Sequence, residues 1–421
     1  MDRSLWAVLA GTFTLRFSTG LTGAMLGVYL AQLPKHGGPE VDPIIVGIFS
    51  ATFFVAELVL SPIFGILSDR LGHHRVMLYG PAFGAVAVIL TGLTTNLGIL
   101  GGTRLLEGAS TAASVPSILG FIAIATARNE DLRGKMSARF EGATLLGIGV
   151  GFAIAPIAFE ALGPVAFFAN AVVYGISLAI FWFVTDAEGE TRAREAPHVG
   201  FRRYAELIRS SHVWLLAPTW IAVNASIGLW FSQSIFQFAK PNPDFPDQVL
   251  MRGFSAVQIS ASAVVIGVIF GAGLLYWGNR FQRLRRTTII LYGILGGAAL
   301  VAAGIVVNHA EGLPVVLPLA AAAVAGFGLF VLAGATPAAL GLLADISERF
   351  PRDRGAIMGL YSVFLAIGQI TGALIGGYAA HVKGIDGMLV ATVILLAVAL
   401  IPLSQLRRSE DALVDGAEEP A

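Results

Sequence analysis

Gly65-Ile66-Leu67-Ser68-Asp69-Arg70-Leu71-Gly72-His73-His74-Arg75 is a short, charged, glycine-bearing segment between two long apolar runs. Charges packed this tightly have no place in hydrocarbon, so the segment reads as a cytoplasmic hairpin between two membrane helices. Outward from it the same alternation continues to both ends of the chain. Of 421 residues, 56% are hydrophobic and 13% charged, and mean hydropathy is +0.76. Runs bounded by charges or turn residues give twelve spans: 5–33, 43–67, 76–95, 97–126, 137–160, 164–184, 212–239, 254–277, 287–307, 313–343, 355–381 and 386–405. The expectation is an all-α membrane protein with twelve transmembrane helices.

Twelve spans put both termini on one side of the membrane, and the basic residues choose the side. With the termini inside, the cytoplasmic segments hold 21 Lys and Arg and the outer segments 4, with Arg16 and Arg104 left within spans. An integral protein of the cell (inner) membrane with cytoplasmic termini is expected. The first apolar run has no basic leader or small-residue cleavage pattern and reads as a retained helix. Formal net charge is zero, and the spread of basic residues along the chain excludes a nucleic-acid surface. The absence of cysteine excludes disulfides and thiol chemistry. There is no Walker sequence and no His-rich metal cluster, so neither an enzyme nor a cofactor is expected.

A polar stretch at 185–211 divides the chain into residues 1–184 and 212–405, with a tail at 406–421. The halves repeat. Pro116 and Pro337, Gly120 and Gly341, Arg133 and Arg354, Gly134 and Gly355, Gly147 and Gly368, and Gly151 and Gly372 are each 221 residues apart. The hairpin has a degraded partner in which Asn279-Arg280 stands opposite Asp69-Arg70. Two pseudo-symmetric six-helix bundles follow from this pattern.

At this point a family resemblance becomes specific. Gly65-x3-Asp69-Arg70-x-Gly72-x2-Arg75 resembles the loop 2–3 signature of the major facilitator superfamily, with His73 and His74 replacing part of its basic pair. Arg104-x3-Gly108 resembles that family's span-four element. Gly142-x8-Gly151-x3-Ala155-Pro156 is similar to the drug/proton antiporter motif, departing from it at Ala155, Phe159 and Glu160. The resemblance covers essentially the whole chain. It implies the two-bundle fold, alternating access around a midplane cavity lined by spans 1, 4, 7 and 10, and transport of a small molecule, with protons as the coupling ion. It also implies that Gly65, Asp69, Arg70, Gly72 and Arg75, with Asn279, Arg280, Arg354 and Gly355, latch the halves. The other reading of these arginines is that they only enforce topology.

Charges within lipid-depth spans are the main functional pointers, because each costs roughly 2.5–3.5 kcal/mol at a helix centre on the mildest scale. They are Arg16, Glu57, Arg104, Glu107 and Glu141, all in the first half. Arg104 and Glu107 stand at i, i+3, as a mutually neutralised pair or a proton relay. Glu57 stands alone or pairs with Arg16, and proton binding can switch either state; Arg16 is alternatively the counter-charge of an anionic substrate. The second half offers neutral groups, and span seven combines Trp230, Gln233 and Gln237 with further aromatics, a mixture suited to amphipathic ligands or to lipid contact. Glycines at 147 and 151, followed by Pro156, and at 368 and 372 line one helix face, for packing or for sliding. Proton-coupled efflux of amphipathic compounds is the leading expectation, beside an importer of a small metabolite and a lipid flippase or receptor on the same scaffold. Membrane lipid is the surrounding partner, and the chain is expected to act as a monomer.

Overall fold

The computed structural model describes residues 3–126, 129–184, 213–280, 284–348 and 354–415. The linker 185–211, the end of the tail from 416, and Arg128, Arg283, Arg349 and Arg352 lie outside the described residues. The α-helices of the described residues are α1 (Arg3–Gln32), α2 (Pro43–Leu71), α3 (His73–Met77), α4 (Tyr79–Leu93), α5 (Leu97–Ala125), α6 (Glu130–Leu162), α7 (Val165–Val184), α8 (Ala217–Ala239), α9 (Ala256–Gly278), α10 (Arg286–Asn308), α11 (Val316–Leu332), α12 (Ala335–Glu348) and α13 (Arg354–Asp415). Lys383 and Gly384 break α13 into two arms, and Gly384 takes φ +57° there.

Nine stretches among the described residues are long and apolar enough to cross a membrane. The last of them, Ser362–Arg408, contains the break in α13 and so holds two spans. α1 and α8 complete the twelve. They are less apolar because they bury polar side chains, Thr12, Arg16, Ser18 and Thr22 in one and Thr219, Asn224, Ser226, Gln233 and Gln237 in the other. Large apolar residues such as Val59, Leu146, Val172, Leu275, Phe327 and Ile401 stay exposed, as expected of faces that meet lipid.

Helix starts are set by side chains that accept otherwise unpaired backbone N–H groups. Asp42 Oδ1 accepts from Ile44 N at 2.7 Å ahead of α2, Asn96 Oδ1 from Gly98 N at 2.9 Å ahead of α5, and Asn129 Oδ1 from Leu132 N at 2.9 Å ahead of α6. The two repeat-related prolines behave differently. Pro116 is absorbed within a continuous α5, whereas the chain leaves the helix at Ala333–Gly334, three residues before Pro337, and restarts as α12. Proline has no N–H to bond the carbonyl four residues earlier, and here Gly334 lies against the Trp277 ring, so the turn opens instead of bending.

The described helices form two compact units, one containing α1–α7 with residues 254–264, the other α8, the rest of α9 and α10–α13. In the first, α1 packs on α6 and α7, α2 on α5, and α4 on α5 and α7. In the second, α8 packs along α13, and α10 packs on α11, α12 and α13. Both units rest on backbone approaches at glycine. A Cβ built on Gly147 would stand 2.7 Å from Phe13 O, and one on Gly151 would collide with Phe17 O. In the second unit, a Cβ on Gly368 would stand 2.8 Å from Ile221 O, and one on Gly372 would collide with Ala225 O. The two seams therefore superpose in register: Phe13 and Phe17 correspond to Ile221 and Ala225 at a separation of 208, against 221 on the glycine helices.

Gly151→Val should drive a side chain into the α1 backbone and lower Tm by at least about 5 °C or abolish folded protein. Gly149 has open space at its Cβ position, so Gly149→Val should stay within about 2 °C of the parent. Thermal unfolding of the two purified variants in detergent checks the seam, and equal losses would remove it.

Candidate functional site

The hairpin forms as its residues suggest. α2 ends when Gly72 takes φ +99°, a conformation strained for any side chain, and its N–H donates to Ser68 O at 3.0 Å. His73 and His74 turn inward. The His73 imidazole packs against Gly120 of α5 and lies 3.7 Å from Asp69, while His74 Nε2 is 2.9 Å from Phe181 O of α7. Asp69, Arg70 and Arg75 are exposed, and Gly65 is partly buried. In the degraded copy Asn279 is exposed and Arg280 lies 4.7 Å over the Tyr276 ring. Arg354 and Gly355 begin α13, but their side-chain surroundings lie outside the described residues.

The embedded charges converge within the first unit. Arg104 and Glu107, one turn apart on α5, form a buried ion pair, and the Arg104 guanidinium sits 5.0 Å over the Phe53 ring. One turn further along the same face, Thr111 Oγ1 accepts from Arg16 Nη1 at 3.3 Å. Arg16 is 7% exposed, and the charges of Glu57 and Glu141 both act on it. Glu57 is brought in by the packing of α2 on α5, where Gly108 takes the backbone at Phe53 and Glu57. Glu57 is partly buried and Glu141 exposed, so the expected set divides into a closed pair, Arg104–Glu107, and an open group, Arg16 with Glu57 and Glu141.

The closed pair has an unfinished side. Glu107 Oε1 is buried and has no hydrogen-bond partner among the described residues, while Oε2 holds Arg104. Other polar bonds of the same unit are neutral: Ser110 Oγ donates to Gly80 O at 2.6 Å, Thr91 Oγ1 to Thr103 Oγ1 at 2.9 Å, and Asn170 Nδ2 to Thr22 Oγ1 at 2.7 Å.

The register of the two seams shows what stands opposite Arg16 in the second unit. It is Asn224: a Cβ on Gly147 meets Arg16 Cβ, and a Cβ on Gly368 meets Asn224 Cβ. Asn224 is 3% exposed and its Nδ2 donates to Trp220 O at 2.9 Å. One position of the repeat is thus ionic in one unit and neutral in the other. Sequence reading missed this correspondence although it carried a signal, because Ser18-Thr19-Gly20-Leu21 recurs as Ser226-Ile227-Gly228-Leu229 at the 208 separation. Of the residues expected to receive substrate, Trp230 is partly buried and its Nε1 donates to Thr392 Oγ1 at 2.9 Å. Gln233 and Gln237 are buried, and Gln237 Nε2 donates to Gln233 Oε1 at 3.3 Å.

Breaking the closed pair from one side should be costly. Arg104→Met leaves an uncompensated buried carboxylate and should destabilise by about 3–5 kcal/mol, whereas Arg104→Met with Glu107→Leu should recover most of that. A double-mutant cycle on thermal unfolding checks this, and additive losses would show that the pair does not act as a unit.

Comparisons with known proteins agree with this architecture. The family model of the Major Facilitator Superfamily matches residues 8–345 and 242–420. The quinolone resistance protein NorA of Staphylococcus aureus (strain MSSA476) is 23% identical over 391 residues, covering 90% of each chain. Multidrug resistance protein 2 of Bacillus subtilis (strain 168) is 26% identical over 340 residues, covering 79% of this chain and 78% of that one. Among solved structures, the nucleoside transporter NupG superposes with a TM-score of 0.72 over 97% of this chain and 99% of its own at 13% identity, a likeness of fold.

Proposed function

Because the chain belongs to the major facilitator superfamily and is a membrane transporter of small molecules, we propose that it exports amphipathic compounds across the cell membrane in exchange for protons. The observation that carries the reading is the Arg16 group. A guanidinium whose only hydrogen bond among the described residues is a 3.3 Å bond to a threonine is answered by two separate carboxylates rather than by one tight partner. Protonating Glu57 or Glu141 removes one of those charges and takes the group from net negative to neutral, so each proton event changes the field along the α1–α5 face. Glu107, with one oxygen unbonded, is the second proton site in this proposal, and Arg104 is the charge that holds it.

The neutral residue at this position of the second unit supports the choice of substrate. With Asn224 where the first unit has Arg16, and with Trp230, Gln233 and Gln237 on the same helix, recognition there rests on aromatic area and amide bonding. The relatives' names, which state quinolone and multidrug resistance, support compounds of that kind. The proposal includes alternating access and cytoplasmic termini, the latter from the distribution of basic residues. Asp69 with Arg70 and Arg75 acts as a conformational latch in this scheme, and the partly buried His73 and His74 hold the hairpin's inner side against α5 and α7.

Everted vesicles energised by a pH gradient should accumulate a cationic amphipathic dye, and an ionophore that collapses the gradient should abolish the uptake. Glu57→Gln or Glu107→Gln should reduce gradient-driven accumulation at least about tenfold while leaving dye affinity within about twofold. Uptake indifferent to the ionophore would overturn proton exchange, and accumulation in right-side-out vesicles instead would turn the reading to import. Asp69→Asn should slow turnover without changing which compounds are carried; unchanged initial rates would remove the latch role.

A further inference from the structure

At one end of the second unit three parts of the chain meet: the connection between α8 and α9, the residues just beyond α10, and the break in α13. His309, the residue after α10, stands between two carboxylates drawn from the other two. Asp386 Oδ2 is 2.9 Å from its Nε2 and Asp247 Oδ2 is 3.6 Å from its Nδ1. These distances differ in kind. The first is a hydrogen bond, whereas the second is too long for one. It is close to the roughly 3.4 Å edge between two ligands of one tetrahedral ion bound at about 2.1 Å.

Asp386 is held by several other bonds. Asn308 Nδ2 donates to its Oδ1 at 2.8 Å, and its own N–H donates to Gln248 Oε1 at 3.2 Å. Gln248 Nε2 in turn donates to Lys383 O at 3.0 Å, and Leu250 N to Asn308 Oδ1 at 3.2 Å. Asn308 is fully buried and Gln248 nearly so. An imidazole that gives one ring N–H to a buttressed carboxylate and turns its other nitrogen toward a second carboxylate has the arrangement of a ligating histidine. Glu311, the next acid along, is already taken by Arg252. Donor atoms of the three side chains all lie within 4.8 Å of one another, which keeps Asp247 and the imidazole in one cluster with the carboxylate that orients the ring.

We propose that His309 Nδ1 and Asp247 bind a divalent transition-metal cation of the zinc type, with Asp386 as the positioning residue that fixes the imidazole and with water completing the coordination. One imidazole nitrogen and one carboxylate oxygen suit a borderline cation, not magnesium or calcium, which need more oxygen ligands. Bound there, the ion joins the α8–α9 connection, through Asp247, to the end of α10. Sequence spacing could not reveal this set, because its members are separated by 62 and 77 residues.

The test uses the full chain, purified in detergent after chelator treatment. Zinc chloride at micromolar concentrations should raise Tm by on the order of 2–4 °C, and magnesium or calcium at the same concentrations should not. Cobalt(II) should give a visible absorption band at one equivalent. Asp247 is exposed, so Asp247→Asn should keep the metal-free Tm and lose both the zinc shift and the cobalt band. His309→Gln should lose both as well, and Asp386→Asn should weaken cobalt binding at least about tenfold without removing the band. Absence of a zinc shift in the parent, or an equal shift and band in Asp247→Asn and His309→Gln, would overturn the site.

Discussion

The structure depends on how closely helix backbones can approach where water provides no drive to associate. In hydrocarbon, two apolar helix faces gain little by meeting, so association rests on close contact and on polar groups that find each other. α6 and α13 meet this constraint in the same way: a glycine every fourth residue lets α1 and α8 lie against them with carbonyl oxygens where a Cβ would stand. Cross-helix hydrogen bonds then fasten each seam from its other side. Ser177 Oγ donates to Gly11 O at 2.9 Å in the first unit, and Thr219 Oγ1 to Ala399 O at 3.5 Å in the second. Gly11 and Thr219 are themselves 208 residues apart, so the bond recurs at the same place in the repeat with donor and acceptor exchanged.

A seam built from backbone leaves its side chains free to differ, and the two units exploit that freedom at one position. Beside the first glycine of each ladder stands the Cβ of Arg16 or of Asn224. The packing is indifferent to which it is, because only the Cβ enters the contact, but the electrostatics are not. A guanidinium at that depth must be answered, and α2, α5 and α6 answer it with Glu57, Thr111 and Glu141. An amide there closes on its own helix, on Trp220 O. The proposed division of labour, with proton handling in one unit and amphipathic substrate surface in the other, follows from that one substitution on a shared frame.

The same frame accounts for where polar density is tolerated. The Arg104–Glu107 pair is buried on α5, flanked by Phe53 and short hydroxyl bonds, and it is the most strongly desolvated charge pair among the described residues. Pairs of this kind add little to stability relative to apolar residues, yet removing one partner is expensive. In the proposed scheme the pair next to the Arg16 group handles charge, and its small net contribution to stability is consistent with that.

The twelve spans, the pairing of two halves and the hairpin were legible in the sequence because each rests on a local property: the length of an apolar run, charges that cannot enter lipid, a glycine at positive φ. Gly72 and the ladders at 147, 151, 368 and 372 are of this kind, and so is the restriction of embedded charges to the first half. What only the tertiary structure decided is which residues meet. The correspondence of Arg16 with Asn224 left only a short signal two residues on, because the spans that carry them repeat at 208, not 221, and share no side-chain chemistry at that point. The separation of Arg104–Glu107 from Glu57 and Glu141, and the meeting of Asp247, His309 and Asp386, depend on contacts between segments dozens of residues apart. Helix periodicity determines the face on which a side chain stands, but what faces it is set by the packing of other helices.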